Sequence, residues 1–447
     1  MISRALIFDK LTPWFLLLGN LLVVLGTELA HDEAYYWLFS QNLDWGYFDH
    51  PPMTAWLIYL TEWLGGELGV RLSFVLCMQA TAYLLSRMVP KENRSLVWLG
   101  INIFPLLAFA GVFAIPDGPL VFFSALWLWQ LQRSLKNDNY QNACALGLIT
   151  ALLFYSKYHG VLFIAGTLLA LPQLFLRPTL WVAALVGLVV FSPHIWWQWT
   201  HEFATFRYHF LERPGVAFGL KQPVYYLIIQ LFLPGLLLAP LIWKQFYSQR
   251  PNNQFERALK WITWFVVIFF FISTFNKKLE ANWTVAAGIP LLLFISMGDF
   301  LKQKQKWVTR LGLVSMLLVF GSKIIMVLPP SWHAIERGHE LHGWKKWSDT
   351  IDQQTQGCRL AANSYQIASK LSFYLQKEVP SLNVKSRLNQ FEYWDWEKEW
   401  NKNDDICWVK QQRKPGANSI NGPDGKNLVL VKGRNLADII SHKKREL

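Results

Sequence analysis

Apolar residues along this chain come in blocks of 16 to 24, separated by short polar turns. The blocks occupy 12–30, 70–89, 95–114, 118–135, 141–156, 160–176, 179–199, 223–246, 259–275, 281–299 and 308–328. A helix needs about 20 mostly apolar residues to cross a bilayer, so the pattern predicts eleven spans. A twelfth apolar segment, 52–66, is shorter. From 330 to 447 the blocks cease and the composition becomes ordinary and polar. Short β-like runs at 406–409 and 428–431, with helical stretches at 359–376 and 435–443, predict a small α/β domain there. The expected architecture is an α-helical polytopic membrane protein, residues 1–329, followed by a small soluble domain, residues 330–447. The first block runs into His31, Asp32 and Glu33 without a small-residue cleavage site, and so reads as a span rather than a cleaved signal peptide.

The basic residues decide how 52–66 is used. Cytoplasmic loops collect Lys and Arg. With Arg4 and Lys10 inside and 52–66 not crossing, five groups all fall inside: Arg87, Lys91 and Arg94; Arg133 and Lys136; Arg177; Lys244, Arg250, Arg257 and Lys260; and Lys302, Lys304, Lys306 and Arg310. A crossing at 52–66 would send the loops from 87 to 310 outside. The segment is therefore read as interfacial or re-entrant. The outer face then receives the first loop 31–51, the turns 115–118, 156–160 and 276–280, the loop 200–222 and the tail.

Composition narrows the class. Of 447 residues, 53% are hydrophobic and only 16% charged, against about a quarter charged in a soluble chain. That excludes an ordinary cytosolic enzyme and a disordered chain. The net charge of +13 is mostly topology and attraction to anionic lipid, not nucleic-acid binding, because no basic segment is interleaved with aromatics. The cysteines lack metal-ligand spacing. Cys77 and Cys144 lie in apolar runs and read as core residues. Cys358 and Cys407 share the tail and can pair if it is extracytoplasmic.

Candidate chemistry clusters on the predicted outer face. The first loop reads His31-Asp32-Glu33-Ala34-Tyr35-Tyr36-Trp37, then Tyr47-Phe48-Asp49-His50-Pro51-Pro52. Asp32, Tyr35 and Tyr36 share a helical face. The bland alternative is a helix start, with Asp32 as its cap and Glu33 in the first turn. Asp117 stands in a Pro-rich turn and Lys157 at a span end. Ser192-Pro193-His194 is followed by Trp196, Trp197 and Trp199, a sequence also typical of an interfacial aromatic belt. Beyond it lie His201, Arg207, His209 and Arg213, then Lys277 and Lys278, which oppose the positive-inside trend. A transporter places charge near mid-membrane. Here the middles of the blocks are nearly free of it, which favours surface chemistry on a lipid-borne substrate over a flippase.

The first-loop pattern, with Pro116-Asp117-Gly118-Pro119-Leu120, Ser156-Lys157-Tyr158 and Ser192-Pro193-His194, resembles the GT-C class of membrane glycosyltransferases. More narrowly, it resembles the bacterial family related to protein O-mannosyltransferases and the lipid A aminoarabinose transferase. The resemblance covers about residues 10–300 and implies a GT-C fold of about 11–13 transmembrane helices in the bacterial inner membrane, with site and tail on the periplasmic side. It implies an inverting transferase that uses a polyprenyl-phosphate-sugar donor and a lipid A, envelope-glycan or protein acceptor. Asp32 matches the general base. Asp49 and Asp117 match an acidic pair able to hold a divalent metal ion. Tyr36 and Lys157 match phosphate-contacting positions, and Glu33 and Tyr35 are supporting residues. Two departures stand out: His50 replaces a Lys and Tyr35 an Arg. The first loop thus lacks two cations, and phosphate binding is expected to shift toward His50, Lys157, Arg207, Lys277 or Lys278, or to a metal.

Overall fold

The computed structural model describes residues 4–212, 218–278, 280–298, 305–329, 331, 340–384, 387–394, 400, 404–411, 419–423 and 427–435. Arg213 and the expected helix at 435–443 lie outside these, apart from residue 435. Every apolar block is helical. α1 (Arg4–Gly26) is followed after a sharp bend by α2 (His31–Gln41), then by α3 (Met53–Tyr59) and α4 (Gly66–Met88). α3 has seven residues, far too few to span a bilayer. α5 (Arg94–Ile103), α6 (Pro105–Ala110), α7 (Asp117–Lys136), α8 (Tyr140–Ser156), α9 (Val161–Ala170) and α10 (Pro178–Thr200) continue the bundle.

α11 (Ala204–Arg207), α12 (Lys221–Leu231), α13 (Ala239–Ser248), α14 (Gln254–Ser273), α15 (Val285–Ser296) and α16 (Gln305–Val327) complete it. Among the described residues three helices, Gly66–Met88, Pro178–Thr200 and Lys306–Val327, are long and apolar enough to cross a membrane. Leu11–Gly26 and His31–Gln41, bent by 85°, pass only as a pair. The chain is a membrane protein.

Not every block is one rod. The 95–114 block breaks between α5 and α6, where Pro105 disfavours helical backbone at Phe104 and then starts the next helix. The 223–246 block breaks between α12 and α13 at Pro234-Gly235. Gly235 has φ +91°, and a β-carbon there would stand 2.7 Å from the Ile103 carbonyl oxygen. The cysteine reading is also corrected: Cys77 is half-buried and Cys144 exposed on its helix, neither fully in the core.

In the tail, α17 (Trp344–Gln354) and α18 (Tyr365–Leu375) accompany four strands: β1 (Arg359–Ala362), β2 (Asp405–Gln411), β3 (Ser419–Asn421) and β4 (Asn427–Asn435). The sheet order is β1-β2-β4-β3, with β1 and β2 parallel and the other pairs antiparallel. The helix expected over 359–376 is thus a strand followed by a helix. A disulfide joins Cys358 to Cys407.

The tail does not pack as a separate body. One apolar cluster unites Tyr35, Phe39 and Tyr47 of the first loop and Phe74 of α4 with Trp344, Ile367, Leu371 and Phe391 of the tail. Polar contacts run along the same seam. The Glu28 carboxylate accepts from the backbone N–H groups of Trp344 and Lys345 at the start of α17. The buried Lys370 ammonium donates to the carbonyls of Leu29 and Glu340.

Candidate active site

α2 carries the first-loop acids and begins one residue ahead of Asp32. Its N-cap is Ala30, which has no capping side chain. Glu33, not Asp32, takes the capping role: its Oε2 accepts from the Ala30 N–H at 2.7 Å. Glu33 is fully buried and also accepts from Arg71 Nε at 2.7 Å, Arg71 Nη2 at 2.6 Å and the Ala114 N–H at 2.8 Å. One carboxylate therefore ties α2 to α4 and to the turn that leads into Asp117. Arg71 is fully buried and has its remaining donors on the carbonyls of Thr27 and Glu28.

Asp32 is different. Its side chain has accessible surface, and among the described residues no hydrogen bond or ion pair holds its carboxylate. The protein packed around it still crowds its carboxyl enough to disfavour the charged form. That burial, reinforced by the negative charges of Glu340 and Asp49 and opposed by Arg387, raises its pKa to about 6. A carboxylate in a recess, ionised at neutral pH but basic enough to take a proton, suits a general base.

The other acids around the recess are committed. Asp49 is buried, with Oδ2 accepting from the Tyr35 hydroxyl and Oδ1 from Arg387, both at 2.9 Å. Asp117 is buried, with Oδ1 paired to Lys157 at 2.7 Å and Oδ2 accepting from Asn282 at 2.6 Å. Glu340 Oε1 accepts from the His31 N–H at 2.7 Å. With their oxygens taken up by Arg387, Tyr35, Lys157 and Asn282, Asp49 and Asp117 do not fit the expected metal pair. Among the described residues no group of three His, Cys, Asp or Glu side chains gathers as a metal site.

The face shared by Asp32, Tyr35 and Tyr36 divides in two. Tyr36 is buried near Asp32, and its ring meets His50 at 5.7 Å. Tyr35 turns to Asp49 and accepts from the Gln390 N–H at 2.7 Å. His50 does not replace the missing cation. Burial, then the positive fields of Lys157, His209, His159 and Arg387, push its pKa well below the ordinary value, so it is neutral at pH 7.

Of the other expected phosphate contacts, Lys157 is in the site. Lys277 lies at its edge, 3.4 Å from the His209 carbonyl, and His209 Nε2 lies 3.1 Å from the Asp49 carbonyl. Lys278 is exposed. Arg207 is exposed and pairs with Glu202 at 2.9 Å, so it is not part of the recess. His194 is structural, bonded to the Tyr158 hydroxyl at 2.7 Å and the Trp45 carbonyl at 2.6 Å. Trp196 and Trp199 are exposed, as an aromatic belt requires.

The cation missing from the first loop comes from the tail. Arg387 pairs with Asp49, and its guanidinium stacks on Tyr365 at 4.7 Å and Tyr208 at 5.0 Å. Tyr365, Glu340 and Gln390 join it at the same recess. Sequence reading missed all four, which lie about 300 residues or more from the first loop. The one available signal was a deficit: a buried Asp49 without a cation in its own loop demands one from elsewhere.

Comparisons with known proteins agree with this fold. Residues 49–197 match the family described as dolichyl-phosphate-mannose-protein mannosyltransferase. The chain is 30% identical over 306 residues to the lipid A galacturonosyltransferase RgtD of Rhizobium johnstonii, covering 61% of this chain and 63% of that protein. It is 29% identical over 216 residues to the lipopolysaccharide core galacturonosyltransferase RgtB of the same organism, covering 45% and 44%. The matched stretch is thus under two thirds of each relative. ArnT from Cupriavidus metallidurans shares the fold, with a TM-score of 0.69 in its apo state and 0.67 bound to undecaprenyl phosphate. In both cases the match is 14% identical and covers 93% of this chain and 97% of ArnT. The resemblance to GT-C membrane glycosyltransferases read from the first loop is borne out.

Proposed function

We propose that this GT-C-fold chain is an inverting glycosyltransferase that moves a single sugar from a polyprenyl-phosphate donor to lipid A or another envelope glycan. The observation that carries the reading is Asp32: of the five carboxylates Asp32, Glu33, Asp49, Asp117 and Glu340, it alone has no hydrogen-bond or ion-pair partner among the described residues, and its pKa is raised to about 6. The named activities of the matched relatives support a lipid A or core acceptor and a uronic acid as the sugar.

In this reading Asp32 takes the proton of the acceptor hydroxyl as its oxygen bonds to the anomeric carbon. The bond from that carbon to the phosphate oxygen breaks, and its electron pair leaves with the polyprenyl phosphate. Lys157, at the end of a membrane helix and fixed by Asp117, stabilises the leaving phosphate's charge. Glu33 positions Asp32 through the α2 cap.

The site residues and the tail share one packed seam, and the tail's disulfide supports an oxidising, periplasmic compartment for both. The buried charges within membrane helices, Arg71 and Lys323, sit near helix ends rather than mid-span, which favours surface chemistry over a flippase. The test is mass spectrometry of lipid A, core glycan and envelope proteins with and without the gene, and with Asp32→Asn. Loss of one sugar from a glycan in both mutants is expected. An unchanged glycan profile rejects the reading, and a change confined to protein reassigns the acceptor.

A further inference from the structure

We propose that Arg387 recognises a carboxylate on the transferred sugar, so that the tail selects an acidic donor; this rests on the transferase reading above. Among the described residues Arg387 pairs with Asp49 and Lys157 with Asp117, and the two cations belong to different parts of the chain. Lys157 follows directly on α8, a helix of the membrane bundle. Arg387 is held in the tail, between β1 and β2 in sequence. A lipid phosphate is tethered to the bilayer by its chain, so it meets the helix-end lysine. The sugar beyond the phosphate extends toward the tail. The fields of both cations act on His50, so the two share one neighbourhood.

The mounting of Arg387 suits a planar anion. Tyr365 and Tyr208 rings pack against the guanidinium, and Nη1 is spent on Asp49. About a third of the side chain (34%) remains exposed. A guanidinium held between rings keeps its plane fixed, and a planar carboxylate is the anion that such a fork matches. A neutral hexose offers only hydroxyls there. The replacements in the first loop fit this division of labour: neutral His50 and Tyr35, both close to the Asp49–Arg387 pair, leave the sugar end of the recess with one cation aimed by one carboxylate.

The test uses the full chain in lipid nanodiscs with two synthetic donors, polyprenyl-phosphate galacturonate and polyprenyl-phosphate galactose. They differ only in a carboxylate against a hydroxymethyl group. Wild type is compared with Arg387→Gln and Arg387→Lys, and polyprenyl phosphate without sugar serves as a binding probe. Wild type is expected to prefer the uronosyl donor. Arg387→Gln should lower kcat/KM for that donor by roughly 10²-fold more than for the galactosyl donor, the difference typical of a charged hydrogen-bond pair. Arg387→Lys should keep part of the preference, and binding of the sugar-free lipid phosphate should be unchanged.

Equal losses with both donors, or loss of the sugar-free probe, would assign Arg387 to the phosphate or to structure and overturn the proposal. So would a wild type that shows no preference. A wild type that uses neither donor overturns the transferase reading itself, a result separable from any property of the Arg387 variants. Melting temperatures of both variants check that the tail stays docked.

Discussion

Replacing Glu33 with Gln keeps the shape of the side chain and removes its charge. The structure sets the cost. Glu33 and Arg71 are both fully buried, so no solvent screens the loss. The glutamine amide then turns a donor toward N–H groups that the carboxylate had satisfied: those of Ala30, Ala114 and Arg71. Breaking a buried pair on one side costs about 3–5 kcal/mol. With an unfolding entropy of about 2.1 cal/mol/K per residue, a chain of 447 residues loses roughly 1 °C of Tm per kcal/mol, so Glu33→Gln should melt about 3–5 °C below wild type in detergent.

The same carboxylate fixes α2 and the turn before Asp117, so sugar transfer should fall more than the stability loss alone explains at a temperature where the variant is folded. Thermal melts and initial rates on Glu33→Gln, Arg71→Met and the double variant form the assay. The double variant should be less destabilised than the sum of the single changes. A Glu33→Gln protein that melts and turns over like wild type, or strict additivity in the cycle, would refute the positioning role.

Three further outcomes follow. Asp32 must be ionised to accept a proton, so transfer rates should drop about tenfold per pH unit below about 6 and level off above it; Asp32→Asn should lose that limb along with roughly 10²–10⁴ of the rate, and an unchanged acid limb in the variant rejects the assignment. Opening the Cys358–Cys407 bridge frees a separation of 49 residues, worth roughly 4 kcal/mol by chain entropy, so Cys358→Ser should make the tail protease-sensitive while the membrane helices stay protected, as limited proteolysis would show. Arg207→Gln, by contrast, breaks an exposed pair with Glu202 and should change donor KM less than about twofold, since such pairs contribute about 0–1 kcal/mol.

Much of the fold was legible because hydrophobic runs map directly onto helices. Each of the eleven blocks became helical, and the brevity of 52–66 matches the seven-residue α3. What the runs do not encode is continuity: Pro105 and Pro234-Gly235 split two blocks, signals present in the sequence but outweighed by mean hydropathy over a long window. The site was half legible. Asp32, Asp49, Asp117 and Lys157 sit in short stretches whose residue types announce chemistry. Yet spacing could not say that Asp49 and Asp117 would each end on a cation instead of sharing a metal, nor that His50 would be stripped of charge by its surroundings. Arg387, Tyr365, Glu340 and Gln390 carry no local mark at all. Their role exists only in contacts across about 300 residues, such as Phe48 N–H to Gln390 at 2.7 Å, and long-range pairing leaves no periodicity to read.

The seam between residues 28–35 and the tail has a consequence for biosynthesis. A ribosome delivers the first loop and all sixteen described helices from α1 to α16 before it makes Arg387. Until then Asp49 lacks its cation, the α17 end that Glu28 binds does not exist, and the Leu29 carbonyl has no lysine to meet. The site is therefore incomplete until the final quarter of the chain has been made, has folded and has docked on the first loop. Such a protein is inert while it is being threaded into the membrane, and its assembly ends with the same event that completes its site.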